Sequence, residues 1–224
     1  MAVDITALNE EIFAKHSKMT LIDGNDKLRK LTIDGPISSL YEVANTKILW
    51  VLREPHGNGG GSLISDVNDD LLGRDIPCYK RWYSSWGLII KVSDAILNNL
   101  SSMSDTPPSI LRPILRNVAV INLNKFGGGK KLSKHYLNGF KRCKEIVDDQ
   151  VAILAPDIII YAGTGYPATS LGVDNIDAEG FSWPTADNFP SIKKIGRVHI
   201  FAYHTGQRKI KHEKYCKQVI EHLR

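Results

Sequence analysis

The chain has 224 residues, of which 42% are hydrophobic and 24% charged, with a formal net charge of +5. That length suits one large domain able to bury a sizeable core. No apolar run approaches the ~20 residues a membrane span needs, and residues 1–18 (MAVDITALNEEIFAKHSK) lack the basic start and apolar core of a secretory signal. A soluble, cytoplasmic protein with no membrane partner is therefore expected.

Three cysteines, Cys78, Cys143 and Cys216, form no CxxC pair and no zinc-ligand pattern. Reduced thiols are expected, with no disulfide framework, no metal and no cofactor. The charge is unevenly placed. Residues 191–224 hold nine Lys or Arg against Glu213 and Glu221, a balance of +7 that leaves −2 for residues 1–190. A cationic end on a nearly neutral body suits either an anionic partner, nucleic acid first, or a solvated basic helix face.

In chain order, residues 5–18 read as an amphipathic helix. Residues 47–52 (KILWVL) read as a strand buried on both faces. Residues 54–62 (EPHGNGGGS) must be a loop, because Gly57 and Gly59 to Gly61 cannot hold a helix. Helical spacing returns over residues 79–100 at Trp82, Trp86, Ile89, Ile90 and Ile96, and a short helix is expected over 107–116. Tyr79, Trp82, Tyr83 and Trp86 read as packing aromatics in preference to a base-stacking platform. A second strand covers 118–123 (VAVINL), followed by the loop 125–131 (KFGGGKK) and a long helix over 133–154 that Ser133 could cap. A third strand covers 157–162 (DIIIYA), with Gly163-Thr164-Gly165 opening a short helix. A fourth covers 198–203 (VHIFAY), and a last helix runs over 207–223.

Strands alternating with helices predict a three-layer α/β/α sandwich around a mainly parallel, four-stranded sheet. Ligands of such sheets bind beyond the carboxyl ends of the strands. There the sequence places Glu54, Asn122 and His204. A carboxylate held before Pro55 could position water or stabilise a developing cation, or else be a surface group paired with Arg53. Asn122 offers both a donor and an acceptor, which suits reading a base edge or satisfying loop backbone. His204 could donate a hydrogen bond to a departing anion, or sit half-buried at a strand end. Lys125, Lys130 and Lys131 surround a glycine loop that lacks the GxxxxGK[ST] pattern of a P-loop, and phosphate contact is its expected use.

The order of these pieces resembles the uracil-DNA glycosylase superfamily. Its acid-proline-glycine motif after the first strand is matched by LREPHGNGG (Leu52 to Gly60), and its Asn-ending strand by VINL (Val120 to Leu123). Its late histidine before a DNA-contacting loop is matched by YHTGQRK (Tyr203 to Lys209), and APDIIIYAGTG (Ala155 to Gly165) is similar to the strand and helix between them. The chain departs from the pattern at Leu52, where the family has glycine, at His56, where it has Tyr or Gly, and at Thr205-Gly206, where it has Pro-Ser.

The resemblance implies one domain over residues 1–224, with 1–44 an N-terminal extension packed on it. It implies cleavage of the N-glycosidic bond of a damaged or deaminated, uracil-like base in DNA, with Glu54 and His204 catalytic. Pro55, His56, Gly57 and Asn122 would hold the base, and Lys125, Lys130, Lys131, Arg208, Lys209 and Lys211 the nucleic acid. The expected state is a monomer. Two other readings stay open: a catalytically inactive nucleic-acid-binding module on this fold, and a small-molecule enzyme acting on a nucleotide or sugar phosphate.

Overall fold

The computed structural model describes residues 4–22, 28–55, 59–72, 85–128, 136–164, 184–185, 187–194, 196–206 and 210–224. All four predicted strands form, as β4 (Ile48–Leu52), β5 (Val118–Asn122), β6 (Ile158–Ala162) and β8 (Arg197–Ala202), and they pair in parallel. Two short strands unread in the sequence extend the sheet. Antiparallel β3 (Gly35–Pro36) joins β5 at one edge and antiparallel β7 (Ser191–Lys194) joins β8 at the other. The order is β3-β5-β4-β6-β8-β7. A separate hairpin pairs β1 (Thr20–Ile22) with β2 (Leu28–Lys30).

The sheet is buried on both sides, which is why its central strands are apolar without alternation. One face carries Trp50, Val120 and Ile160 against α3 (Trp86–Leu97) and α6 (His212–Glu221). The other carries Leu49, Val51, Ile121 and Ile159 against α1 (Ile5–Lys15) and α5 (Tyr136–Leu154). This is the expected three-layer α/β/α arrangement. Trp86 is a core residue, 6% exposed, whereas Tyr79, Trp82 and Tyr83 lie outside the described residues. Between β4 and α3, residues 63–66 form the short α2, capped by the Ser62 hydroxyl on the Ser65 amide, and pass into a π-helical turn at 67–72. The helix expected over 107–116 divides into α4 (Pro108–Leu111) and a 3₁₀ segment over Arg112–Asn117.

On α5, Phe140, Cys143, Val147, Val151 and Leu154 lie at helical spacing and are buried, with Gln150 fully buried among them. On α1 the buried stripe is Ile5, Asn9 and Phe13. A polar residue in each stripe meets the same group. Asp34, just before β3, is fully buried. Its Oδ1 accepts from Lys125 Nζ at 2.7 Å and from Gln150 Nε2 at 3.1 Å. Its Oδ2 accepts from the Asn122 backbone at 2.7 Å and the Asn122 side chain at 3.1 Å. Its carbonyl accepts from Asn9 Nδ2 and Gln150 Nε2, each at 2.9 Å. Residues 1–44 thus supply an edge strand and a buried charge to the body of the fold.

Cys143 and Cys216 are buried free thiols, and burial raises them from an ordinary 9.0 to about 11 and about 12. A raised folded-state value means the folded chain keeps protons that the unfolded chain releases. Its stabilisation is complete below pH 9.0 and is lost as pH climbs towards about 11. The urea midpoint is therefore expected to fall as pH rises above 9.0, and a Cys143→Ala/Cys216→Ala double variant to show a shallower fall. An identical slope in the two proteins would remove the thiols from this account.

Candidate active site

From β4 the chain passes to β5 on one side, then recrosses to β6 and β8 on the other. The order reverses between β4 and β6, so the crevice that binds ligands in open α/β sheets lies beyond their carboxyl ends. Arg53 and Glu54 follow β4, and Gly163 and Thr164 follow β6. His204 follows the next strand, β8.

Glu54 is held from two sides. Its Oε2 accepts from Asn124 Nδ2 at 3.1 Å. Gly128 closes on the carboxyl group so tightly that a Cβ there would lie 2.1 Å from Glu54 Cδ. The Gly128 amide also donates to the Pro55 carbonyl at 2.8 Å, tying the two loops together. Asn124 is itself fixed: its Oδ1 accepts from the Phe126 amide at 3.1 Å, and it packs against Gly139 of α5, whose added Cβ would lie 2.3 Å from that oxygen. Its backbone amide donates to the Arg53 carbonyl at 2.9 Å, which extends the β4–β5 pairing by one step beyond the strands.

His204 is set by its own loop. The Gly206 amide donates to His204 Nδ1 at 3.0 Å, so Nδ1 is an acceptor and the ring proton belongs on Nε2. Gly163 backs the histidine in the left-handed region, with φ +69°, where a Cβ would come within 2.6 Å of His204 Cβ. That close approach accounts for the glycine directly after β6. Ser85, at the start of α3, also reaches this loop: a Cβ on Gly206 would lie 2.6 Å from Ser85 Oγ. The Tyr215 hydroxyl donates to the Tyr203 carbonyl at 2.8 Å and anchors the loop to α6.

Two expected contacts change their assignment. Lys125 is not a solvent-facing lysine of the glycine loop: it is fully buried, with its ammonium on Asp34. Burial lowers its pKa, while the Asp34 carboxylate opposes that shift. Asn122 is 2% exposed and its amide N–H is committed to Asp34, so it braces the end of β5 from inside. The residue that meets Glu54 is Asn124, two positions on. Asp34, Asn124 and Gly128 were not singled out in the sequence. The readable hint was a second asparagine one strand period after the first.

Pro55 and Lys211 lie among the described residues, Lys211 exposed at the start of α6. His56, Gly57, Lys130, Lys131, Arg208 and Lys209 lie outside them. Lys211, Lys214, Lys217 and Arg224 are exposed along the C-terminal segment, with Lys214 ion-paired to Asp187. Among the described residues, the grouping whose donors could approach a metal is His16, Glu145 and Asp149, all within 4.8 Å, where Lys15 already pairs with Glu145 at 2.6 Å. No described helix is long and apolar enough to cross a membrane.

No protein-family profile matches the chain, and no curated protein is similar enough in sequence to count as a match.

Proposed function

We propose that this chain is a DNA glycosylase-like hydrolase that cleaves the N-glycosidic bond of a damaged or deaminated, uracil-like base. The observation that carries the reading is the placement of Glu54 and His204 at the same sheet edge, either side of β6, with each side chain held by its own support. N-glycosidic cleavage passes through an oxocarbenium-like state. A fixed carboxylate such as Glu54 can stabilise that cation or orient the attacking water. The base departs as an anion, and a donor on His204 Nε2 would meet the developing charge without first giving up a proton. The target nucleotide would leave its stack to reach the crevice. The exposed lysines of the C-terminal segment supply the cationic surface that nucleic-acid binding requires.

The test is base release from oligodeoxynucleotides carrying uracil, hypoxanthine or a thymine mismatch, read as strand cleavage after alkali. Cleavage of at least one is expected. Intact strands in every case, together with salt-dependent binding to the same oligonucleotides, would replace the hydrolase with a binding module. Intact strands without binding, and thermal stabilisation by nucleotides or sugar phosphates, would favour a small-molecule enzyme.

A further inference from the structure

We infer that Arg53 is a phosphate anchor of the same site, its guanidinium taking a phosphate group of the nucleotide whose base lies against Glu54. The inference rests on the base-excising reading for the identity of that nucleotide. The anchor itself follows from the surroundings of Arg53.

Arg53 is the first residue beyond β4, at the point where the strand order reverses. Its backbone is pinned there by the Asn124 amide on its carbonyl at 2.9 Å. Its Nε is buried and has no hydrogen-bond partner. Among the described residues no carboxylate forms an ion pair with it, and the carboxylate next to it in sequence, Glu54, is held by Asn124 instead. Lys125 shows how this fold treats a buried cation that belongs to its interior, with an ammonium fully paired on Asp34 at 2.7 Å. Among the described residues the half-buried Arg53 has no such counter-ion, although a buried, unpaired donor such as its Nε is costly.

A guanidinium stays charged and presents donors in a rigid fork, which matches two oxygens of one phosphate. Its place directly beyond the carboxyl end of β4, where open α/β sheets bind their ligands, points to a group of the ligand as the missing acceptor. The cationic C-terminal segment favours a phosphate ester over an uncharged ligand. That phosphate could belong to the phosphodiester of a polynucleotide or to a free nucleotide.

Two binding measurements on the full chain separate these sources. The first follows a labelled single-stranded oligodeoxynucleotide by fluorescence anisotropy between about 50 and 200 mM salt. The second compares thermal stabilisation by deoxyuridine monophosphate with that by deoxyuridine. If the phosphate is a phosphodiester, Arg53→Gln should weaken oligonucleotide binding about tenfold and flatten the log–log salt slope by about 0.7. Arg53→Lys should keep the slope and lose part of the affinity. If it is a free nucleotide, the monophosphate alone should stabilise the wild type, and Arg53→Gln should abolish the effect. A purely structural role would shift melting temperature and leave the salt slope unchanged. Wild-type-like binding by Arg53→Gln in both measurements, or a wild type that binds neither ligand, would overturn the anchor. Loss of phosphate binding in Arg53→Gln with no base release by the wild type would keep the anchor and remove the glycosylase. Base release with unaltered KM and binding in Arg53→Gln would do the reverse.

Discussion

In single-turnover assays of base release, Glu54→Gln and His204→Ala are each expected to slow the reaction by about two orders of magnitude or more. Glu54→Gln is the cleaner substitution. The glutamine carbonyl can still accept from Asn124 Nδ2, so the side chain stays in place while the charge is lost. An effect of that size would then measure the charge. Asn124→Ala removes the support and keeps the carboxylate, so it should lower the rate with a smaller change in substrate affinity. Gly128→Ala should displace the carboxyl group outright, because the added Cβ would lie 2.1 Å from Glu54 Cδ. His204→Ala deletes the Nε2 donor and leaves Gly206 without its acceptor, so circular dichroism and melting temperature must show a folded protein before the rate is read. Rates within about threefold of wild type for Glu54→Gln would place the chemistry elsewhere.

Asp34→Asn should destabilise the protein by about 3–5 kcal/mol, because it leaves the Lys125 ammonium buried without its counter-charge. For a chain of this length each kcal/mol lowers the melting temperature by roughly 2–4 °C, so a fall of about 6–20 °C is expected. The carboxylate is an effective partner because both its oxygens are occupied and because Lys125 and Asp34 are each fully shielded from water. Replacing the two residues together by apolar ones of similar size, as in Asp34→Leu/Lys125→Met, should recover much of the loss, since desolvating an ion pair offsets most of its attraction. The orphaned backbone and side-chain N–H groups of Asn122 keep that recovery incomplete. A single variant that unfolds within about 1 kcal/mol of wild type would show that the pair contributes little.

The consequence for the candidate site is indirect. Lys125 follows Asn124, the residue that holds Glu54, so the buried pair fixes the loop from below. Partial loss of activity in folded Asp34 variants, with the Glu54 chemistry intact, is the corresponding functional signature.

Much of this was legible in the order of residues. Residues 47–52, 118–123, 157–162 and 198–203 are mostly apolar runs short enough for strands and separated by helical periodicity, and together they predict a parallel sheet between helical layers. The polar residues just after them, Glu54 and His204, stand at the edge where parallel sheets place their crevice. Neither inference needs long-range information. The strand Gly35–Pro36 carries no periodicity at all and exists only because β5 offers it an edge. The fates of Lys125 and Asn122 could not be read locally either. A lysine in a glycine-rich loop looks exposed until an aspartate 91 residues earlier in the chain buries it. An asparagine at a strand end looks available until the same aspartate takes its amide.

The sequence by itself determined the four parallel strands, the helical layers and the edge at which Glu54 and His204 stand, since each depends on hydrophobic period and chain order. Only the tertiary structure decided which polar groups at that edge remain available to a ligand. A buried charge must find its partner wherever the fold brings one. Asp34 therefore drew Lys125 and Asn122 inward, and left Asn124 to hold the carboxylate.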